Sequence, residues 1–503
     1  MQNKVDKLFR LIKSMQSSEK VFFKKMANLY RKSGTSNYVT LFDTIDKQKE
    51  YDEEKLIKKL KGTSFIKHLA VSKNHLYENI LRSLRLYRRG NDNKRKVYQN
   101  INDIIILKEL SLKEDMIKKA KSTKALAWKI EEFNALHQLI EFERGYYRLE
   151  RTKTQAETLQ KLNEETQKVL DYQQNSHTYS VLFDQFMTFY NKVGKVTPEE
   201  ARDFLSNKVL QDYNNALSFR SKHIFLLIKS FLTNDLNQPQ EALHYARELV
   251  QLWHDHPQQM NIKAPAYWSA LSTFISMVYG MNLTQEIKQT LNTIETIPRD
   301  SLEFNIGFYN SFHLYKVLYI ILAKDFDLLA DAVKLFLKDE KKYGASIGFR
   351  NIYNKQYLYF HYVTAYIYIN DYENALSWNI ELLDFPQKQV LPHYYYYSRL
   401  RSILIHYCLG NDYLLDSLIR SVERNLKKED VFNAFEKTFI QLFKKLLNTP
   451  QNEEKQVLNE YLDKFSTLES KSQQELSSGG FDILLWIKSR IEKTSMLASF
   501  SKE

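Results

Sequence analysis

Turn-forming residues are scarce in this 503-residue chain, which has only 12 glycines and 8 prolines. Together they make up about 4 % of the residues against roughly 12 % in ordinary usage, too few punctuation points for an all-β or α/β fold. An all-α protein is expected. Cys408 is the single cysteine, which excludes an internal disulfide or a thiolate metal cluster and agrees with a reducing compartment. The longest apolar run, Val317 to Ala323, is bracketed by Lys316 and Lys324 and falls far short of the ~18 residues a membrane span needs, so no membrane insertion is expected. Residues Met1 to Gln16 interleave Lys4, Asp6, Lys7, Arg10 and Lys13 with apolar side chains and lack the apolar block of a signal peptide. The expected location is cytoplasmic. Phosphate-cradling GxxxxGK[ST], GxGxxG, HExxH and CxxC are all missing. No enzyme activity, cofactor or metal is therefore expected.

What is present is core material: 43 % of the residues are hydrophobic and 14 % aromatic, ample for a buried interior. A chain this long exceeds one compact core, so several domains or an elongated repeat array are expected. Charge divides the chain sharply. Residues 1–100 hold 24 Lys and Arg against 10 Asp and Glu, a net +14, whereas residues 101–503 are close to neutral at −1. Such asymmetry marks one basic module whose field attracts an anionic partner. The expected divisions are 1–100 for this module, 101–449 for a helical array and 450–503 for a C-terminal helical cap.

Within the basic module, Ser17 and Ser18 precede a helical pattern with Phe22, Met26 and Leu29 on one face and Lys20, Lys24 and Arg31 on another. A second amphipathic segment starts near Ser64. It places Phe65, Leu69, Leu76, Ile80, Leu84 and Tyr87 on its apolar side, while Arg82, Arg85 and Arg89 form a stripe that continues into Lys94, Arg95 and Lys96. These nine cations are the candidate contacts for an anionic partner. The substring Leu69-Ala70-Val71-Ser72, followed by Leu76, Ile80 and Leu84, resembles the turn and second helix of a helix-turn-helix. A continuous helix from Phe65 to Arg88 explains the same spacing.

From about residue 100 to 450, amphipathic segments are broken at Gly194, Asn234, Gly280, Lys324, Asn370 and Asn411. A period near 43 residues suits a pair of helices and two connections, the unit of an α-solenoid. Similar wording returns at Lys324-Asp325-Phe326, Asn370-Asp371-Tyr372 and Asn411-Asp412-Tyr413, read as turns in which Asp or Asn caps the incoming helix and the aromatic wedges into the hairpin. Thr197-Pro198-Glu199-Glu200 reads as a helix start with a capping box.

In Gln356 to Pro386, Tyr359, Tyr362, Val363 and Tyr366 occupy the W-x2-L-G-x2-Y spacing, and Asp371 to Leu376 suits the start of a second helix. This unit resembles the tetratricopeptide repeat (TPR). Two departures stand out, Val363 in place of a small residue and Asn379 in place of an aromatic. The resemblance, weaker over about 125–450, implies a TPR-like α-solenoid binding a protein or peptide on its concave face. It implies that Tyr357, Phe360, His361, Thr364 and Tyr368 line the peptide groove, while Tyr359, Tyr362, Tyr366 and Ala375 pack between helices. Tyr394 to Tyr397 read as helical, because four consecutive residues point four ways. After Thr449-Pro450, two amphipathic segments flank Ser477-Ser478-Gly479-Gly480, the last carrying Ile483, Leu484, Ile487 and Ile491 on one side.

Isolated chemical hits are few. Gly344-Ala345-Ser346-Ile347-Gly348 satisfies G-x-S-x-G but follows a lysine-rich helical segment rather than a strand. His254-Asp255-His256 offers two imidazoles without further ligands nearby. Glu131-Glu132 and Glu453-Glu454 read as adjacent, solvated helix residues. The leading expectation is a non-enzymatic scaffold or adaptor, with the solenoid holding a protein or peptide and the basic module docked on RNA, a ribosome, DNA or an acidic protein. The alternatives are a peptide-responsive DNA-binding transcription regulator and, lower, a serine hydrolase using Ser346.

Overall fold

The computed structural model describes residues 6–28, 37–63, 66–88, 93–149, 153–190, 196–260, 262–297, 302–343, 351–385, 392–428, 432–468 and 482–500. Among these the protein is all-α, with 25 α-helices, a few 3-10 turns and no strand. None of the described helices is long and apolar enough to cross a membrane. The chain divides into two compact units, residues 1–174 and 175–503, and the division falls inside the 36-residue helix Gln155–Tyr190.

The first unit begins with helices Lys7–Ser14, Ser17–Asn28, Asn37–Asp46, Glu53–Lys59 and Leu69–Tyr87. Their apolar faces meet around Leu8, Ile12, Phe23, Phe42, Ile45, Leu56, Leu76 and Ile80, all at most 1 % exposed. The continuous-helix reading holds from Leu69 onward, while Ile66–His68 form a 3-10 turn before it and Phe65 lies outside the described residues. Leu69 to Ser72 form the first turn of the helix that runs to Tyr87, so they are not the bend of a helix-turn-helix. Helices Asn93–Glu109, Lys113–Lys129 and Phe133–Tyr147 follow as an antiparallel run in which each packs on the next. The boundary expected at residue 100 falls inside the first of these.

In the second unit the helices come in pairs. Phe219–Asp235 pairs with Pro239–Asp255, Ala264–Gly280 with Thr284–Thr296, Leu302–Ala323 with Leu329–Tyr343, Asn351–Tyr368 with Tyr372–Leu383, and Asp412–Lys428 closes on Pro392–Cys408. Each first helix also packs on the first helix of the next pair. Helices Ala434–Leu447, Glu454–Ser466 and Ile483–Glu492 continue the packing, and one hydrophobic core runs without interruption from Tyr179 to Met496.

One turn closes these hairpins. Ser111, Glu131, Asn237, Asn282, Lys324, Asn370 and Gly410 all take left-handed backbone, with φ between 55° and 68°. In every case the next residue donates its N–H to the carbonyl five residues back, as in Leu112 to Leu107, Leu283 to Val278 and Asn411 to His406, at 2.9–3.0 Å. This is the Schellman motif, which meets orphan carbonyls at a helix end and turns the chain back sharply. In the second unit the turn residues 237, 282, 324, 370 and 410 are 45, 42, 46 and 40 residues apart. The turn expected at Gly194 lies outside the described residues. Glu131 is thus a turn residue, and Glu132 pairs with Lys94 at 3.0 Å, so these carboxylates are not adjacent on a helix.

The aromatic wedge holds unevenly. Phe326 is buried and Tyr372 half-buried, each two residues after its left-handed position, but Tyr413 is 81 % exposed. At the last turn the left-handed residue is Gly410 rather than Asn411, which shifts Tyr413 by one position and rotates it about 100° around the helix. Asp371 caps as expected, accepting from the Asn374 N–H at 3.1 Å, whereas the Asp325 side chain makes no cap bond. Thr197 and Glu200 form the full capping box.

An added methyl at Gly410 would meet nothing within 4 Å, and its φ is +68°, so the demand there is purely conformational. Gly410→Ala is expected to lower stability by about 1 kcal/mol. Asn370→Gly, at the equivalent position, is expected to change it by less. Urea unfolding midpoints of the full chain measure both.

Candidate functional site

Two groups of side chains stand out beyond what the folded core needs. The first is the cationic set of the basic module, where the geometry separates engaged from disengaged residues. Lys20 pairs with Asp46 at 2.6 Å and Lys24 with Asp43 at 2.5 Å, both carboxylates standing on the helix Asn37–Asp46. Lys73 bridges Asp6 and Glu53 at 2.6 and 2.8 Å, and Arg88 binds the buried Glu19 at 2.6 Å. Partial burial is the largest single influence on Lys73 and opposes its charge, but the hydrogen bonds to Asp6, Glu53 and Tyr51 together outweigh it and raise the pKa. Much of the local positive charge thus ties helices together. Arg82, Arg85 and Lys96 are exposed and have no ion-pair partner among the described residues. Lys94 is bound to Glu132, Arg95 is exposed on the same helix, and Arg31 and Arg89 lie outside the described residues.

The second group lies on the first helices of the second unit. The expected packing residues are inside: Tyr359, Tyr362, Tyr366 and Ala375 are at most 9 % exposed. Most of the expected groove residues are inside as well. Phe360, His361, Thr364 and Tyr368 are 0, 4, 0 and 7 % exposed, and Tyr357 alone is half-buried. The reason is Arg401, a residue the sequence pattern did not flag. Its guanidinium donates to the Phe360 carbonyl and the Thr364 hydroxyl, each at 2.9 Å, and stacks 3.6 Å over the Phe360 ring. It thereby draws helix Asn351–Tyr368 against helix Pro392–Cys408. Asn379, expected to be an aromatic position, is buried and donates to the Ser398 carbonyl and the Ser402 hydroxyl at 3.0 and 2.8 Å. Here a polar tie replaces a ring.

Next to this closed region runs a row of partly exposed phenols. Tyr279, Tyr315, Tyr357 and Tyr394 stand on four successive first helices and are all half-buried. The Tyr315 hydroxyl lies close to Ser276 and Ser272, the Tyr357 phenol interacts electrostatically with those of Tyr279 and Tyr315, and the rings of Tyr357 and Tyr394 lie 5.4 Å apart. Burial pushes the acidity of all four phenols down, that of Tyr357 to a pKa of about 12. All four therefore keep their protons near neutral pH and can donate. His361 meets Tyr357 edge-on at 4.4 Å. Burial, and next the Arg401 charge, lower its pKa to about 3, so the imidazole is neutral.

The remaining hits stand as follows. Ser346 and its glycines lie outside the described residues. His256 packs its Nδ1 2.9 Å from the Leu252 carbonyl, and no group of three or more His, Cys, Asp or Glu among the described residues is placed to hold a metal ion. Cys408 is half-buried beside Tyr372 and Trp486, with its thiol pKa raised to about 11 chiefly by burial. Compared with known proteins, the chain matches no protein-family model, no curated protein and no solved structure.

His223 resembles His361 in being buried, and its Nδ1 accepts from the Trp253 indole at 3.1 Å. Its pKa is also lowered to about 3, chiefly by burial. Both imidazoles have folded-state pKa values below the unfolded value of 6.5, so the unfolded chain binds protons that the folded one refuses. Their contribution is complete above pH 6.5 and is lost as pH falls toward 3. Stability should drop by about 1.4 kcal/mol per pH unit for each histidine across this window. In His223→Gln the slope, read from urea unfolding at successive pH values, should be shallower by one proton.

Proposed function

We propose that this protein is a non-enzymatic scaffold whose hairpin array, a TPR-like α-solenoid, holds a protein or peptide while the basic module docks on an anionic partner such as RNA or a ribosome. The observation that carries the first half is the phenol row. These four phenols pack on the core yet remain half-buried, and they stand on four successive first helices. Repeat arrays stacked through their first helices use such a face for extended ligands. The second half rests on the charge division, +14 in residues 1–100 against −1 beyond, and on the exposed Arg82, Arg85 and Lys96.

The internal ion pairs sharpen the reading. Lys20 and Lys24 stabilise the module, and the docking contacts are Arg82, Arg85 and Lys96, with Arg95 contributing. Binding of the full chain to a 30-nucleotide RNA across a salt series tests this. Arg82→Ala with Arg85→Ala is expected to weaken binding and reduce the magnitude of the log–log salt slope by about 1 for each lost phosphate contact. Lys20→Ala and Lys24→Ala are expected to leave the slope unchanged and to cost less than about 1 kcal/mol of stability each. A full chain whose RNA retention is weak and insensitive to salt would remove the docking half of the proposal.

A further inference from the structure

Three aromatic side chains are exposed among the described residues, Tyr87, Tyr98 and Tyr413. The Tyr98 hydroxyl is bound to Glu132 at 3.0 Å, and Tyr413 stands next to Asp412 and three residues before Asp416. Tyr87 has different company. It ends helix Leu69–Tyr87, on which Arg82 and Arg85 are exposed and have no ion-pair partner among the described residues.

The exposed ring is held from behind. Phe22, half-buried on helix Ser17–Asn28, packs against it with 5.2 Å between ring centroids, and the next residue, Arg88, ties the same two helices by binding Glu19. Three residues after Phe22, Lys25 is exposed and likewise has no ion-pair partner among the described residues. The acids of these two helices do not cancel the patch. Glu19 is buried against Arg88, and Glu78 is exposed four residues before Arg82, where the cationic stretch begins. Cations alone suit any acidic partner, but a supported aromatic face among cations selects a partner that alternates anionic groups with flat rings. A nucleic-acid strand does so, offering phosphates to Arg and Lys and bases to the phenol, whatever its sequence. A duplex keeps its bases stacked on one another, whereas RNA presents unpaired bases in loops, bulges and ends. Arg82 lies about 7.5 Å along the helix axis from Tyr87, close enough for its long side chain to serve a phosphate beside a base stacked there.

Resting on the docking half of the proposed function, we propose that the basic module binds single-stranded RNA and that the ring of Tyr87 is the platform on which one unpaired base stacks, with Arg82, Arg85 and Lys25 serving the neighbouring phosphates. Because Phe22 already fixes the ring, little order is lost when the base arrives. Stacking is not ionic. Its loss therefore lowers affinity without changing the number of counterions released, which separates the platform from the cations around it.

The test measures binding of the full chain, by fluorescence anisotropy across a salt series, to a single-stranded oligouridine and to an RNA duplex with the same number of phosphates. Vesicles of phosphatidylserine and phosphatidylcholine are the third probe. Tyr87→Ala is expected to weaken binding of the single strand about fivefold or more, with the log–log salt slope unchanged and duplex binding within about twofold of the unsubstituted protein. Tyr87→Phe, which keeps the ring, should bind the strand as the unsubstituted protein does. Tyr87→Leu keeps apolar contact with Phe22 but has no ring, so it should lose as much as the alanine variant and tests the platform even if that variant does not fold. Strand binding undiminished in Tyr87→Ala or Tyr87→Leu overturns the platform and leaves the docking reading standing. So does a loss shared equally by strand and duplex, or a loss that Tyr87→Phe does not restore. Retention on the vesicles with neither RNA bound, or no binding to any probe, overturns the platform and the RNA reading together.

Discussion

A helix with one apolar stripe cannot bury that stripe alone, and the left-handed hairpin turn is the device by which this chain supplies each helix with an antiparallel partner. Its two backbone bonds satisfy carbonyls that the helix end would leave open. The same bonds fix where the second helix starts and therefore which of its faces meets the first. The motif recurs at Asn237, Asn282, Lys324, Asn370 and Gly410, so the hairpins of the second unit are built alike and one core extends from Tyr179 to Met496. Only one of these positions is glycine. Asn suits the left-handed region through local hydrogen bonding, and at Lys324 the tertiary packing carries a conformation that the residue itself disfavours.

The basic module shows a second use of tertiary structure. Its excess of Lys and Arg is partly neutralised across helices, by Asp46 for Lys20, Asp43 for Lys24 and the buried Glu19 for Arg88. An exposed pair such as Lys24–Asp43 contributes little to stability, but each of these pairs removes a cation from the set available to a partner. In the second unit polar chemistry is drawn inward instead. Asn379 holds helices together where the repeat pattern calls for an aromatic residue, and Arg401, which the pattern does not mark, ties two first helices and closes most of the groove that the pattern alone implies.

Legibility varied with the range of the interaction concerned. Helices were readable because the spacing of Leu69, Leu76 and Ile80, or of Tyr359, Tyr362 and Tyr366, records which side faces a core. The turn at Asn370 and the capping box at Thr197 were readable because they are settled within a few residues. Burial of Phe360 and Thr364 was not readable from their own helix, since the covering group, Arg401, lies about 40 residues away along the chain. Nor was the outward position of Tyr413, which depends on whether Gly410 or Asn411 takes the left-handed conformation.

Local order therefore belongs to the amino-acid sequence: an all-helical chain, its amphipathic segments, a period near 43 residues, and a positive charge confined to the first fifth. Those features follow from side-chain periodicity and from the scarcity of glycine and proline, which act over one or two turns of helix. Which cations are already paired, which tyrosines stop half-way to the core, and that His361 lies buried with unmet nitrogens beside Arg401 were decided by packing. Contacts between helices tens of residues apart determine how much water and which charge each side chain meets, and no local pattern encodes that distance.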